Sequence, residues 1–206
     1  MASIAILGAS GHGKVLAEIA ELNGYSEVVF FDDNWPTKSQ LAHWPIVGNS
    51  QHLIERLADF SACIVAIGNN KIRVTKLELL LAESAPLVSL IHPSAIISSY
   101  STIGQGTAIM ANAVVNIASE IGQGCIINTA SSIDHDCVIA DGVHVSPGAH
   151  LAGNIVVGEQ SWIGIGSSIK QGVVIGCNVI VGAGAAVVSN ISSDSTVVGI
   201  PAKPQF

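Results

Sequence analysis

From Ile91 to Val187 an aliphatic residue stands at every sixth position without a miss. The column runs Ile91, Ile97, Ile103, Ile109, Val115 and Ile121, then on through Ile133, Leu151 and Ile169 to Val187. A second column, four residues behind, holds only small or β-branched residues, from Ala95 through Thr107, Ser119, Cys125, Cys137 and Ala149 to Ile191. Neither the 3.6-residue period of a helix nor the 2-residue period of a strand gives this spacing, whereas a hexapeptide repeat does. Three hexads close one triangular coil of about 18 residues, each hexad supplying a short strand and a corner, so residues that far apart stack at the interstrand spacing of roughly 4.8 Å. The register therefore predicts which residues become neighbours.

Seventeen hexads make nearly six coils with no inserted loop. The large aliphatic and the small residue are expected to fill the narrow interior, with the remaining positions facing outward or forming corners. Gly104, Gly122, Gly158, Gly164, Gly176 and Gly182 directly follow the aliphatic residue, where we expect corners that need a permissive backbone.

Residues 1–90 read differently. An apolar run over 3–7 predicts a buried strand, followed by Gly8-Ala9-Ser10-Gly11-His12-Gly13 and a helix over about 14–23. Strands are predicted over 28–31, ending at Asp32-Asp33, and over 63–67, ending at Gly68-Asn69-Asn70, with a helix over about 72–83 after them. Strands alternating with helices imply a small parallel sheet of Rossmann-like α/β type. The glycine spacing is GxxGxG rather than the dinucleotide fingerprint GxGxxG. It still offers free amides at a helix N-terminus, where a phosphate can sit. Asp32 and Asp33 follow some 20 residues on, where an acid can hydrogen-bond a ribose hydroxyl. Three strand ends converge, which points to a nucleotide or nucleotide-sugar site. The two predicted domains are thus 1–90 and 91–206.

Composition narrows the partners. Net charge is −7, and the repeat region has only Lys170 and Lys203 as cations, so no basic stripe for nucleic acid exists. No apolar run approaches the roughly 20 residues of a membrane span, and with Gly-rich turns and a Lys so early no signal peptide is expected. Cys63, Cys125, Cys137 and Cys177 lack CxxC spacing. They read as reduced thiols of a cytoplasmic protein.

His135 is the most informative residue of the prism. It stands two after Ile133, outside both interior columns, between Asp134 and Asp136. Its stacking column is Ser99, Ile117, His135, Gly153, Gln171, so the next coil offers a bare glycine beside the imidazole. That arrangement suits acyl transfer. A neutral imidazole takes a proton from an attacking amine or hydroxyl, a carboxylate orients it, and the Gly153 N–H stabilises an oxyanion. Spacing alone leaves open which aspartate orients the ring. His144 is expected at a corner with Trp162 one coil up, either touching a ligand or packing on the indole. A zinc site would need two histidines converging from one chain. No two share a column in adjacent coils, and His144 and His150 fall on successive expected corners, so no metal is expected.

The motifs that match a known group run the length of the chain. They are the Gly8–Gly13 loop, Phe31-Asp32-Asp33, Ala66-Ile67-Gly68-Asn69-Asn70, Ile91-His92-Pro93-Ser94-Ala95, Ile133-Asp134-His135-Asp136-Cys137 and Val198-Gly199-Ile200-Pro201-Ala202-Lys203. In this order they resemble the sugar O- and N-acetyltransferases of the hexapeptide-repeat acyltransferases, a family that includes UDP-N-acetylbacillosamine N-acetyltransferase and the sialic acid O-acetyltransferases. The resemblance implies a left-handed parallel β-helix behind the Rossmann-like domain, and a homotrimer with acetyl-CoA between adjacent prisms. It implies acetylation of the C4 amine of a UDP-linked 4-amino-4,6-dideoxy sugar. By the same resemblance His135 is the general base and Asp136 the carboxylate that raises its basicity, a position where the family often has Glu. Ser10, Gly11, His12, Asp32, Asp33 and Gly68 map onto nucleotide-sugar contacts, with Asn128 at the sugar. His144, Gly153, Ile165 and Ala183 map onto acetyl-CoA contacts, Ala183 replacing a familiar glycine. The alternatives are O-acetylation of sialic acid or another sugar hydroxyl, and a non-catalytic nucleotide-sugar-binding module.

Overall fold

The computed structural model describes residues 2–205. The chain divides into two compact units between Pro93 and Ser94, three residues beyond the boundary expected from the sequence.

The first unit is built on a parallel sheet. Strand β1 (Ser3–Leu7) lies between β2 (Glu27–Phe31) and, once a short hairpin of β3 (Gln40–Leu41) and β4 (Trp44–Pro45) has intervened, β5 (Ala62–Val65). Ile4 pairs with Val28 on one side and Ala62 on the other. Every residue of β1 is buried, as expected of a parallel strand covered on both faces. Ala5, Leu7, Val29, Phe31, Cys63 and Val65 point to one side. There they meet Leu53 of α2 (Ser50–Glu55) and Leu77 and Leu80 of α3 (Asn70–Ala82). Helix α1 (Gly11–Leu22) covers the opposite side, where a Cβ at Gly13 would lie 3.0 Å from the Phe30 ring.

Both long helices begin earlier than the sequence suggests. Helix α1 starts at Gly11, so Gly11, His12 and Gly13 form its first turn and only Gly8 to Ser10 remain a loop. Helix α3 starts at Asn70 because the Asn69 side chain accepts the Ile72 N–H at 3.0 Å and caps it.

The second unit is a left-handed parallel β-helix. Up to Ala186–Val187 its strands are two residues long and pair in parallel with partners 18 residues away, as in Val115↔Ile133 and Ile133↔Leu151. Ile96–Ile97, Val114–Val115, Ser132–Ile133, His150–Leu151, Ser168–Ile169 and Ala186–Val187 form the first face. The second face stacks Thr102–Ile103, Glu120–Ile121, Val138–Ile139, Val156–Val157 and Val174–Ile175. The third runs from Ala108–Ile109 through Ile126–Ile127, His144–Val145, Trp162–Ile163 and Ile180–Val181 to Thr196–Val198, on which Lys203–Pro204 folds back antiparallel. The aliphatic column is buried from Ile109 to Val187.

The corners correct one expectation. The glycines that directly follow the aliphatic residue are not in the left-handed region. A Cβ at Gly104 would lie 2.4 Å from the Gly122 carbonyl carbon, and one at Gly158 2.6 Å from the Cys177 nitrogen, so these positions are bare to let coils stack. The left-handed residue comes three after each aliphatic, without exception from Gly106 to Gly184. It is Gly in half the hexads and otherwise Asn112, Ala118, Ala130, Asp136, Asn154, Gln160 or Asn178.

The small interior column has a polar use as well. The Thr107, Ser119 and Ser161 hydroxyls donate to the carbonyls of Gly122, Asp134 and Gly176 at 2.7–2.8 Å. Each also accepts the backbone N–H of the residue stacked above it, Cys125, Cys137 and Val179 respectively. These hydroxyls satisfy corner groups that the short strands leave unpaired.

Candidate active site

The segment Ile133-Asp134-His135-Asp136-Cys137 turns the chain from the first face to the second. Asp136 is the left-handed residue of this corner (φ 58). That backbone brings its carboxylate back alongside its neighbour, and Asp136 Oδ2 lies 2.7 Å from His135 Nδ1. Asp134 does something else. Its Oδ1 accepts the His135 backbone N–H at 2.9 Å and the Asn116 amide at 2.9 Å. One aspartate therefore holds the ring and the other the backbone.

The His135 side chain is half-exposed, and Nε2 makes no hydrogen bond among the described residues. Its pKa is raised, chiefly by the hydrogen bond to Asp136; loss of solvent opposes this, and the negative charges of Asp134 and Asp136 add to the rise. The ring lies against Gly153, where a Cβ would stand 2.5 Å from Cε1 and 2.6 Å from Nε2. The Gly153 N–H donates to no protein acceptor among the described residues. An exposed, basic imidazole nitrogen beside an open backbone donor is an arrangement for moving a proton while polarising an oxygen.

A second group lies at the corner between the third and first faces. Asn128 Nδ2 donates to His144 Nε2 at 3.0 Å. The His144 ring packs at 4.2 Å between centroids on Trp162. His144 is on a strand, not at a corner, and is only 6 % exposed. It precedes the aliphatic Val145, and the residue before each aliphatic is the first of the two strand residues. His150 is likewise on a strand, its Nδ1 2.8 Å from Ser132 Oγ. Ile165, 57 % exposed, and Ala183 stack in adjacent coils at the same corner as Asn128. Within one prism, then, His135, Asp136 and Gly153 share one edge. Asn128, Ile165 and Ala183 share another, and the first face runs between them.

The first unit holds a cavity of about 360 Å³ lined by Gly8, Ser10, Asp32, Asp33, Gly68 and Lys76, among others. Gly8 takes φ 115, and a Cβ there would stand 2.7 Å from the Ala66 carbonyl oxygen. Asp32 Oδ2 accepts the Ala9 N–H at 2.7 Å, and Oδ1 accepts both the Asn34 N–H and its amide. Asp33 Oδ1 accepts from Ser50, and its Oδ2 pairs with Lys76 Nζ at 2.7 Å. Burial pushes both carboxyls up, but these donors outweigh it and hold Asp32 below the ordinary value and Asp33 at about 2. Gly11 and His12 are not part of the lining. His12 Nε2 is buried without a partner among the described residues. Burial, and then the nearby Arg73 charge, lower its pKa to about 4. Lys76 and Ser50 escaped the sequence reading, since nothing in their spacing tied them to Asp33. Among the described residues no three His, Cys, Asp or Glu side chains converge as metal ligands, and no helix is long and apolar enough to cross a membrane.

Known proteins share both halves of this architecture. Residues 3–80 match the PglD N-terminal domain. UDP-N-acetylbacillosamine N-acetyltransferase of Bacillus subtilis is 38% identical over 114 residues, a stretch spanning 54% of this chain and 52% of that protein. The acetyltransferase domain of PglB from Neisseria gonorrhoeae, solved with acetyl coenzyme A, superposes with a TM-score of 0.94 at 44% identity over 98% of both chains. A histidine-to-asparagine variant of perosamine N-acetyltransferase from Caulobacter crescentus, solved with CoA and GDP-perosamine, gives a TM-score of 0.95 at 35% identity over 100% of this chain and 98% of that one. With a PglD-type first unit, a left-handed β-helix and end-to-end similarity at these identities, the chain belongs to the PglB- and perosamine-type family of sugar N-acetyltransferases.

Proposed function

We propose that the protein transfers the acetyl group of acetyl-CoA to the C4 amine of a UDP-linked 4-amino-4,6-dideoxy sugar. The observation that carries this reading is the His135 ring held by Asp136 at 2.7 Å, with its Nε2 open beside Gly153. The amine attacks the thioester carbonyl, and His135 Nε2 takes the proton the amine loses. The Gly153 N–H donates to the carbonyl oxygen as negative charge builds there. The C–S bond then breaks, and the thiolate leaves with the proton His135 has held. No acyl-enzyme is required. The bare surface at Gly153 and the small, exposed Ala183 next to Ile165 fit the slender pantetheine arm of CoA. His144 completes that path.

The cavity of the first unit is the proposed nucleotide-sugar pocket, with Ser10, Asp32, Asp33 and Gly68 in its wall and Gly11 and His12 at the neighbouring helix start. Asn128 is assigned to the sugar. The hydrogen bonds within the cavity make Asp32 and Asp33 braces of its wall as much as ribose ligands. Because the His135 and Ile165 edges are separate on one prism, a ligand touching both sits between copies, which favours a homotrimer. A cytoplasmic location goes with the use of acetyl-CoA. The UDP-sugar relative supports the nucleobase, and the N-acetyltransferase relatives favour an amide over the O-acetyl ester alternative.

A thiol-release assay with acetyl-CoA against UDP-, dTDP- and GDP-linked 4-amino sugars and sialic acid tests the reading. Expected is turnover with the UDP-amino sugar and a product that survives hydroxylamine. His135→Ala is expected to lower kcat by at least ~10²-fold. A hydroxylamine-labile product, or undiminished turnover by His135→Ala, would overturn it.

A further inference from the structure

Inside the reactive corner, out of reach of any substrate, a short chain of hydrogen bonds ends on two peptide groups that matter. The buried Ser119 hydroxyl donates to the Asp134 carbonyl at 2.7 Å and accepts the Cys137 N–H at 3.2 Å. The buried Cys137 thiol donates in turn to the Ala152 carbonyl at 3.2 Å. Burial raises the pKa of this thiol, so it stays protonated and remains a donor.

A trans peptide is planar, and its C=O and N–H point opposite ways. Drawing the Asp134 carbonyl inward therefore turns the His135 N–H outward, where Asp134 Oδ1 accepts it at 2.9 Å. Drawing the Ala152 carbonyl inward in the same way turns the Gly153 N–H outward, beside the His135 ring. We propose that Ser119 and Cys137 are positioning residues that set, from the prism interior, the direction of the Gly153 oxyanion donor and the seat of the His135 base. The proposal rests on the acetyl-transfer reading given above.

The fold supplies its own control. Cys125 makes the same contacts one hexad pair earlier, its thiol donating to Ala140 at 3.2 Å and its N–H to Thr107 Oγ1 at 3.0 Å. Its target peptide, Ala140–Asp141, lies at the corner after the second face, away from His135. Any purely structural loss should therefore be alike in the two variants.

The experiment compares Cys137→Ala, Cys125→Ala and Cys137→Ser in the full chain, with the parent and His135→Ala in the same thiol-release assay. Expected are similar falls in Tm for the two alanine variants. Only Cys137→Ala should lose kcat, on the order of 10-fold or more, because a small misplacement at the reacting centre suffices. Its KM for acetyl-CoA should stay near the parent's, and Cys137→Ser, which keeps a donor, should recover most of the loss. A crystal structure of Cys137→Ala should show the Ala152–Gly153 peptide rotated. Should that variant not fold, Cys137→Val, which fills the space without a donor, replaces it. Parental kcat in the donorless variant, an equal loss in Cys125→Ala, or an unmoved peptide would overturn the proposal. If the parent releases no thiol with any acceptor, or His135→Ala works normally, the acetyl-transfer reading falls instead. The peptide orientation then still decides the interior chain.

Discussion

A single left-handed backbone residue determines what the reactive corner can do. On an extended strand Asp136 would point away from His135, but at φ 58 its carboxylate meets Nδ1. The carboxylate raises the His135 pKa, so removing it lowers that pKa and leaves the base deprotonated to lower pH. Asp136→Asn is therefore expected to shift the acid limb of the kcat/KM profile downward in pH, together with a lower plateau. A limb that stays in place or moves upward would contradict the pairing. Gly153 makes a complementary case. Its backbone is not left-handed, and the three atoms nearest to a methyl group there all belong to the His135 ring, an exposed side chain that can swing aside. Gly153→Ala should thus keep a Tm close to the parent's while kcat falls on the order of 10²-fold, as expected when a reacting group moves by about 1 Å. Unfolding of the variant, or normal turnover, would show that the glycine is there for another reason.

Among elements, the hexad is the unit that both folds and fails. The 18-residue stacking was legible in the sequence because each aliphatic residue has one place to go. Val115, Ile133 and Leu151 align as their spacing requires. Less legible was which property a glycine contributes. Gly104 and Gly106 look alike in the sequence, yet the first is bare because Gly122 stacks on it and the second because the corner turns left-handed. The two uses have different consequences. Gly148 has φ 62 and open space around it, so Gly148→Ala should cost only the left-handed penalty of about 1–2 kcal/mol, as Ala118 and Ala130 already bear. Gly104→Ala drives a methyl into backbone 2.4 Å away and should cost more, about 3 kcal/mol or above. Denaturant unfolding of the two variants checks the order, and the reverse order would refute this account of the corners. Equally hidden was the hydrogen bonding of Ser119 and Cys137. Their smallness shows in the pattern, but that each bonds to a carbonyl 15 residues on, at the same corner one coil up, does not. In the first unit Asp32 and Asp33 were found by position at a strand end, whereas Lys76 and Ser50 became visible only once α2 and α3 were packed.

For the whole molecule, the two units carry different sensitivities. His12 titrates near 4 in the folded chain against about 6.5 ordinarily, chiefly through burial. As pH falls through that window the unfolded chain takes up the proton first, so stability present above about 6.5 is lost progressively toward 4. Tm measured across that range should fall, and His12→Gln should flatten the slope; an unchanged slope would assign the acid sensitivity elsewhere. The prism's second face exposes Val138, Val156 and Val174 at 42, 41 and 45 %, stacked one above another. An apolar stripe of this kind is a surface that association would cover. Light scattering is expected to give three times the chain mass of 21.1 kDa; a mass of one chain would count against the site between copies. The unbroken register has one more consequence. Inserting a single residue within a strand would turn every later inward side chain outward, so extra residues can be absorbed only as loops bulging from a corner. The prism itself can lengthen or shorten only by whole coils of 18. The distance from His135 to either end of the prism is thus quantised in steps of one strand spacing, about 4.8 Å. A longer or shorter acyl donor would be matched by choosing among coils rather than by sliding the wall.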